Sequence, residues 1–391
     1  MTQPVRVFTQ VLILWLAGLG AATQFAKIAV PFADVGLLYP DHAGFLGWML
    51  SIISLIGAVF GAVSGAVTGR VGPVKLLIFG LLLGGAISLY QATIPGFDAM
   101  LISRVLEGVS HLAIVVAAPT LIAQITQGKA RNAAMVLWSS FFGVAFAMNA
   151  WIGLPFVDQF GLPAFFGLHG GLMLATAGLI VLIRLQVNMD PPERVRWSLR
   201  YIADVHVRTY RSAFVAAPAL GWFFYTLTFV SLLAILPGQL PEATRASIAG
   251  LMPLAGIVLS LLVVPLLLNF VSSVFVINLG FGLAILTISA LFLGAPLTVV
   301  CIALFAVLGL VQGGSFAAVP QLNTSAEAQA LSYGAMAQMG NGGNLLGTPF
   351  LLAILLRTDE AGMLTVVIGI YLIAIALHLW FAARRRQVEP E

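Results

Sequence analysis

Apolar runs of membrane-spanning length follow one another along almost the whole chain, divided by short polar breaks. A helix that crosses a bilayer needs about 20 mostly apolar residues. By that measure twelve spans are predicted, at roughly 9–31, 44–68, 75–94, 99–123, 133–155, 163–187, 215–237, 247–269, 273–294, 297–319, 330–355 and 362–383. The breaks at 39–42, 94–98, 127–129, 161–163 and 294–296 are rich in Gly, Pro and Asp, which punctuate helices. The eighth and ninth spans are parted only by residues 269–273.

The one long polar segment, 188–212, divides the chain into two six-span halves, 1–187 and 213–391. Within it, 194–205 reads as an amphipathic helix. Trp197, Tyr201 and Val205 share one face, while Arg194, Arg196 and Arg200 can reach lipid headgroups. Lys and Arg set the orientation of a polytopic chain. Of the 18 such residues, 14 fall in the termini and loops on one side, 2 (Arg245 and Arg357) on the other, and Lys27 and Arg104 lie inside spans. Both termini are therefore expected in the cytoplasm of a plasma or bacterial inner membrane. The basic balance is a topology signal and not a nucleic-acid footprint.

Composition agrees: 60% of residues are hydrophobic, 8% are charged, and mean hydropathy is +1.05, against about 25% charged residues in soluble domains. The expected fold is an all-α membrane protein of twelve transmembrane helices. The first run is too long for a signal-peptide core and has no small-residue cleavage site, so it is expected to stay as a span. Cys301 is the only cysteine, which excludes a disulfide and a thiolate metal site. No phosphate-binding Gly-rich loop, metal-spaced cluster or Ser/His/Asp set stands out, so neither an enzyme nor a cofactor is expected.

Against this background the fourth span is unusual. Arg104, Glu107 and His111 sit at i, i+3 and i+7, on one helix face that also carries Gly108. A mid-membrane charge costs roughly 2.5–3.5 kcal/mol even on mild insertion scales, so such charges are paired, wetted or used. The first span holds Gln24, Lys27 and Asp34, and Lys27 and Asp34, seven apart, share a face. The charges would balance if Lys27 and Arg104 shared Glu107 and Asp34. That network is read either as a proton-coupling site or as a fixed staple between helices, and Asp34 alone reads as an interfacial residue at a helix end. His111 reads equally as packing residue or proton relay. His42 falls in a loop, His169 and His378 have no partner that the sequence reveals, and all three read as structural residues without a functional role.

The two halves carry a weak repeat. At an offset of 201 residues (305 minus 104), Gly108 meets Gly309, Ala117 meets Ala318, Pro119 meets Pro320 and Leu121 meets Leu322. Two parallel six-span halves would give such a same-direction repeat. Twelve spans, a basic central loop and cytoplasmic termini resemble the major facilitator superfamily. Residues 65–75 resemble its cytoplasmic loop motif through Arg70, Gly72 and Lys75, although Gly69 stands where the family usually has Asp. Arg104 with Gly108 resembles its arginine-plus-glycine motif. The Gly-Pro-rich antiporter motif of the fifth span is not matched. The resemblance implies that the first, fourth, seventh and tenth spans line a central cavity, with Lys27 and Asp34 facing Arg104 and Glu107. It also implies a monomer.

The spans of the second half hold no Lys, Arg or Asp. Their polar content is neutral: Tyr225, Gln312 and Asn341 are the expected substrate-lining groups, beside Gln24 of the first half. The stretch 340–344 reads either as solute contact or as close packing by small residues. The expectation is a secondary active transporter working by alternating access, driven by protons and moving a small organic anion or zwitterion, with membrane lipids as its other partners. Efflux of amphipathic or cationic compounds is the runner-up, and a non-transporting receptor or assembly factor is the third reading.

Overall fold

The computed structural model describes residues 3–64, 68, 71–183 and 199–387, and every element among them is helical. The helices are α1 (Gln3–Ala29), α2 (Phe32–Leu38), α3 (Leu46–Ser51), α4 (Leu55–Phe60), α5 (Pro73–Gln91), α6 (Phe97–Ile125), α7 (Gly128–Ser139), α8 (Phe141–Met148), α9 (Leu154–Leu182), α10 (Leu199–Arg211), α11 (Ala216–Ile235), α12 (Glu242–Val258), α13 (Val264–Leu267), α14 (Ser273–Phe292), α15 (Leu297–Leu322), α16 (Ala326–Leu355) and α17 (Glu360–Gln387). They form two compact units. One is Met1–Ile56 with Val63–Val195, and the other is Gly57–Ala62 with Arg196–Glu391.

Among the described residues, ten helical runs are long and apolar enough to cross a membrane. One of them, Phe141–Leu182, is 42 residues long, about twice what a bilayer needs. It covers the fifth and sixth expected spans and breaks at Gly161, whose φ of 80° only glycine adopts freely. The eleventh expected span is one 30-residue helix, α16, whose Gln338, Asn341 and Asn344 lower its hydropathy below that of the ten. The described part of the amphipathic helix is Leu199–Arg211. Trp197, Arg194 and Arg196 lie outside the described residues, as does Arg70 of the loop motif. Helix α10 docks on α16, where Tyr210 Oη donates to Gln338 Oε1 at 2.9 Å. Burial pushes the Tyr210 hydroxyl up to about 12.

The repeat has a structural counterpart. A Cβ added at Gly108 on α6 would run into the carbonyl oxygen of Ile53. One at Gly309 on α15 would run into that of Gly256 on α12. In each unit, the glycine that the repeat aligns lets one helix backbone touch another, as small residues do inside membranes. The stretch 340–344 also packs closely: a Cβ at Gly343 would lie 2.6 Å from Phe223 O and 2.8 Å from Leu227 N of α11.

The close approach predicts its own test. Gly108→Val and Gly309→Val should each cost on the order of 1–3 kcal/mol through overpacking. Gly178→Ala, with nothing within 4 Å of the added carbon, should leave stability unchanged or improved. Thermal unfolding of the purified protein in detergent checks all three.

Candidate functional site

The charged residues of α1 and α6 meet inside the first unit. Lys27 lies near the end of α1, and Arg104 and Glu107 sit one turn apart on α6. All three side chains are fully buried. Lys27 Nζ donates to Glu107 Oε1 at 2.6 Å, and Arg104 Nη1 donates to Glu107 Oε2. Among the described residues these are the only two ion pairs, and both fall on Glu107.

The third span supplies groups that sequence reasoning missed. Lys27 also donates to Ser88 Oγ and Gln91 Oε1, each at 2.6 Å, so all three of its N–H groups are used. Gln91 Nε2 donates to Glu107 Oε2 at 3.1 Å and to Ser103 Oγ at 2.9 Å. Ser88 and Gln91 share a face of α5 at i and i+3, and they are the last polar pair before that helix ends. Their spacing was a signal; their partner was not. His169 of α9 closes the set, with Nδ1 at 2.8 Å from Ser88 Oγ and Nε2 at 3.0 Å from the Gly20 carbonyl. The Lys27 ammonium also lies 5.7 Å from the centroid of the Phe166 ring, a cation–π contact.

Arg104 ties this cluster to backbone. Its Nε donates to Met49 O at 2.9 Å, its Nη1 to Gln24 O at 2.7 Å and its Nη2 to Leu50 O at 3.4 Å. The second span is irregular here: a tight turn, Ile52–Ser54, follows α3 directly after the two carbonyls that Arg104 holds. The ring of donors around Glu107 is thus complete, and every cation has its acceptors. A buried charge is tolerated on those terms.

Asp34 is not part of it, and the balanced four-charge network is corrected on this point. Helix α1 ends at Ala29, and Pro31 starts a separate short helix in which Asp34 sits in the first turn. Lys27 and Asp34 therefore do not share a face. Asp34 is half-buried and has no cation within ion-pairing distance among the described residues. Its place suits a carboxylate at a helix N-terminus. The sealed cluster thus holds two cations and one carboxylate.

The remaining predicted residues fall elsewhere. His111 Nδ1 bonds the Ala21 carbonyl at 3.0 Å and its ring packs edge-on against Phe25, so it anchors α6 to α1 beside the cluster. Gln24 is fully buried, its Nε2 donating to Ser110 Oγ at 2.8 Å, while its Oε1 has no hydrogen-bond partner. In the second unit Tyr225 Oη donates to Gln312 Oε1 at 3.3 Å. Tyr225 stacks between Trp222 and Phe229, with centroids 5.0 and 4.8 Å away. Asn341 turns its amide back to Ala337 O of its own helix at 2.8 Å. Gly72 caps α5 with a φ of 89°, and Lys75 is exposed on its first turn.

A chain built of apolar helices, with a hydrogen-bonded charge cluster sealed inside one of two helical units, has the plan of a polytopic membrane protein. Residues 11–348 match the model of the Major Facilitator Superfamily, and the chain belongs to that family. It is an integral membrane protein. It is also 27% identical over 203 residues to the Inner membrane transport protein YajR of Escherichia coli (strain K12), a match that covers 51% of this chain and 42% of that relative.

The uneven charge predicts an uneven response to mutation. Glu107→Gln leaves two buried cations without a carboxylate and should cost about 3–5 kcal/mol. Lys27→Met leaves a balanced Arg104–Glu107 pair and should cost less. Asp34→Asn should stay within about 0.5 kcal/mol of the parent. Unfolding midpoints in detergent give the order, and a Lys27→Met penalty larger than that of Glu107→Gln would contradict it.

Proposed function

We propose that the protein moves a small organic anion or zwitterion together with a proton, by alternating access across a bacterial inner membrane with both termini in the cytoplasm. The observation that carries this reading is the excess positive charge of the cluster formed by Lys27, Arg104 and Glu107. A net charge in a medium of low dielectric is costly. It is relieved if an anion comes near or if a proton leaves.

These two routes are linked. An anion favours the form of the cluster that keeps its proton, and the proton favours the anion, by the same factor. Contact is not required: at an effective dielectric of about 20, a unit charge about 8 Å away still gains about 2 kcal/mol. Cooperative binding of anion and proton is the thermodynamic basis of symport. The loop residues Arg70, Gly72 and Lys75 then act in the conformational change and not in solute binding. Tyr225, Gln312 and Asn341 supply neutral contacts, and Gln24 offers an unused acceptor.

A second reading rests on the aromatic column of the second unit, where Trp222, Tyr225 and Phe229 stack in succession. Such a surface suits a flat, apolar solute, and with Glu107 as the proton site it fits export of amphipathic cations.

Ligand-induced stabilisation separates the two. A solute at a hundredfold excess over Kd stabilises by about 2.7 kcal/mol, so a panel of carboxylates, zwitterions and lipophilic cations can be scanned against the purified protein at two pH values. Carboxylates should stabilise, more strongly at the lower pH, and Lys27→Ala should remove the effect. Stabilisation by lipophilic cations alone, lost in Glu107→Gln, would reject the anion reading in favour of the amphipathic-cation one.

A further inference from the structure

His169 is a buried titratable group that the charge balance above does not use. It lies at the end of a directed chain of hydrogen bonds, and each direction is forced. The Gly20 carbonyl can only accept, so His169 Nε2, 3.0 Å away, carries the proton. In a neutral ring Nδ1 is then an acceptor, and Ser88 Oγ, 2.8 Å away, must donate to it. Having given its hydrogen to His169, Ser88 is free to accept from Lys27 Nζ, 2.6 Å away. All donors point one way, from Lys27 through Ser88 to His169 and on to Gly20.

From this geometry we propose that Lys27 and His169 are two alternative holders of one proton, with Ser88 as the bridge between them. The inference rests on the proton-coupled reading above and supplies it with a path. In the transfer, a Lys27 N–H bond breaks and an O–H bond forms on Ser88. The original Ser88 O–H bond breaks and an N–H bond forms on His169 Nδ1. Ammonium becomes amine, imidazole becomes imidazolium, and Ser88 ends as it began. No hydrogen bond is lost, because His169 Nδ1 now donates to Ser88 and Ser88 donates to the Lys27 amine. Only the direction of the chain reverses.

The groups that face this path from every side are already named. Lys27 and the Gly20 carbonyl come from α1, Ser88 and Gln91 from α5, Arg104 and Glu107 from α6, and the Phe166 ring from the helix of His169 itself. His111 is turned away to Ala21. Double occupancy is disfavoured: with Lys27 charged, a second proton on His169 would set like charges on both sides of one serine and leave the Ser88 hydrogen without an acceptor. When the proton sits on His169, Arg104 and Glu107 remain as a balanced pair, and the excess charge has moved from α1 to α9.

Nitrogen-15 NMR of the histidine-labelled protein in lipid nanodiscs tests this without a transported solute, with His169→Gln identifying the signals. From about pH 5 to about pH 9, which brackets ordinary histidine titration, wild-type His169 should carry its first proton on Nε2. In Lys27→Met, its second proton should appear on Nδ1 at a pH at least about one unit higher than in wild type, which is about a tenfold gain in proton affinity. Lys27→Gln serves the same purpose if the methionine variant does not fold. One proton on His169 in both proteins across the range, or a wild-type proton on Nδ1, would overturn the proposal. A second readout uses proteoliposomes loaded with a pH-sensitive dye and a carboxylate from the stabilisation panel. His169→Gln, which can still bond Ser88 and Gly20, should lose about tenfold in proton-driven uptake while solute exchange stays within about twofold. Unchanged proton-driven uptake in His169→Gln would reject the bridge alone. Expected NMR behaviour without any proton-coupled movement in wild type would reject the transport reading and leave the shared proton standing.

Discussion

The first unit depends on one carboxylate shared by two cations. Glu107 receives Lys27 on one oxygen and Arg104 on the other, with Gln91 as a third donor. Three helices must come close for this to happen, and a fourth, α9, joins them through His169 and Ser88. Burial makes the attraction strong and the loss of any partner expensive. The surrounding structure is arranged accordingly. Gly108 lets α6 touch the backbone at Ile53, and that contact carries Arg104 to the carbonyls of Met49 and Leu50. A guanidinium bonded to a neighbouring helix's carbonyls accompanies a local distortion of that helix, and Ile52–Ser54 is such a distortion.

The second unit solves the same packing problem without charge. Gly309 meets Gly256 as Gly108 meets Ile53. The position aligned with Arg104 is Phe305, fully buried, with its ring 5.0 Å from that of Phe229. The sequence offset thus pairs a guanidinium in one unit with a buried aromatic ring in the other. A common helix-crossing geometry is therefore compatible with two chemistries, one ionic and directional, the other apolar and stacked. Of its polar groups, Tyr225 and Gln312 bond to each other.

Most of this architecture was legible in the sequence because lipid enforces a simple code: long apolar runs, punctuated breaks and basic loops on one side. The i, i+3, i+7 face of Arg104, Glu107 and His111 was legible for the same reason, since charges inside an apolar helix have few explanations. Two things were not. The Lys27–Asp34 pairing assumed a continuous helix, and Pro31 in fact starts a new one. One proline two residues past a helix end outweighs a seven-residue periodicity. Ser88, Gln91 and His169 stayed hidden because their meaning lies in a three-dimensional meeting of α1, α5 and α9. Each alone is an ordinary polar residue in an apolar span. The fifth and sixth spans were separable in sequence by 161–163, and the backbone breaks there at Gly161.

The misplaced aspartate matters more than its single position suggests. With Asp34 included, the cluster would be neutral, and a neutral, fully bonded network is simply a staple. With Asp34 outside, the same bonds enclose one surplus positive charge. Hydrogen bonding stabilises that charge locally but does not cancel it, because every acceptor except Glu107 is uncharged: Ser88, Gln91, Gln24 O, Met49 O and Leu50 O. Each of the three Lys27 protons is assigned to a specific acceptor, so the ammonium is fixed in place while the surplus charge stays uncompensated. The uncompensated charge is in this sense the feature of the fold that connects its packing to the transport proposed above.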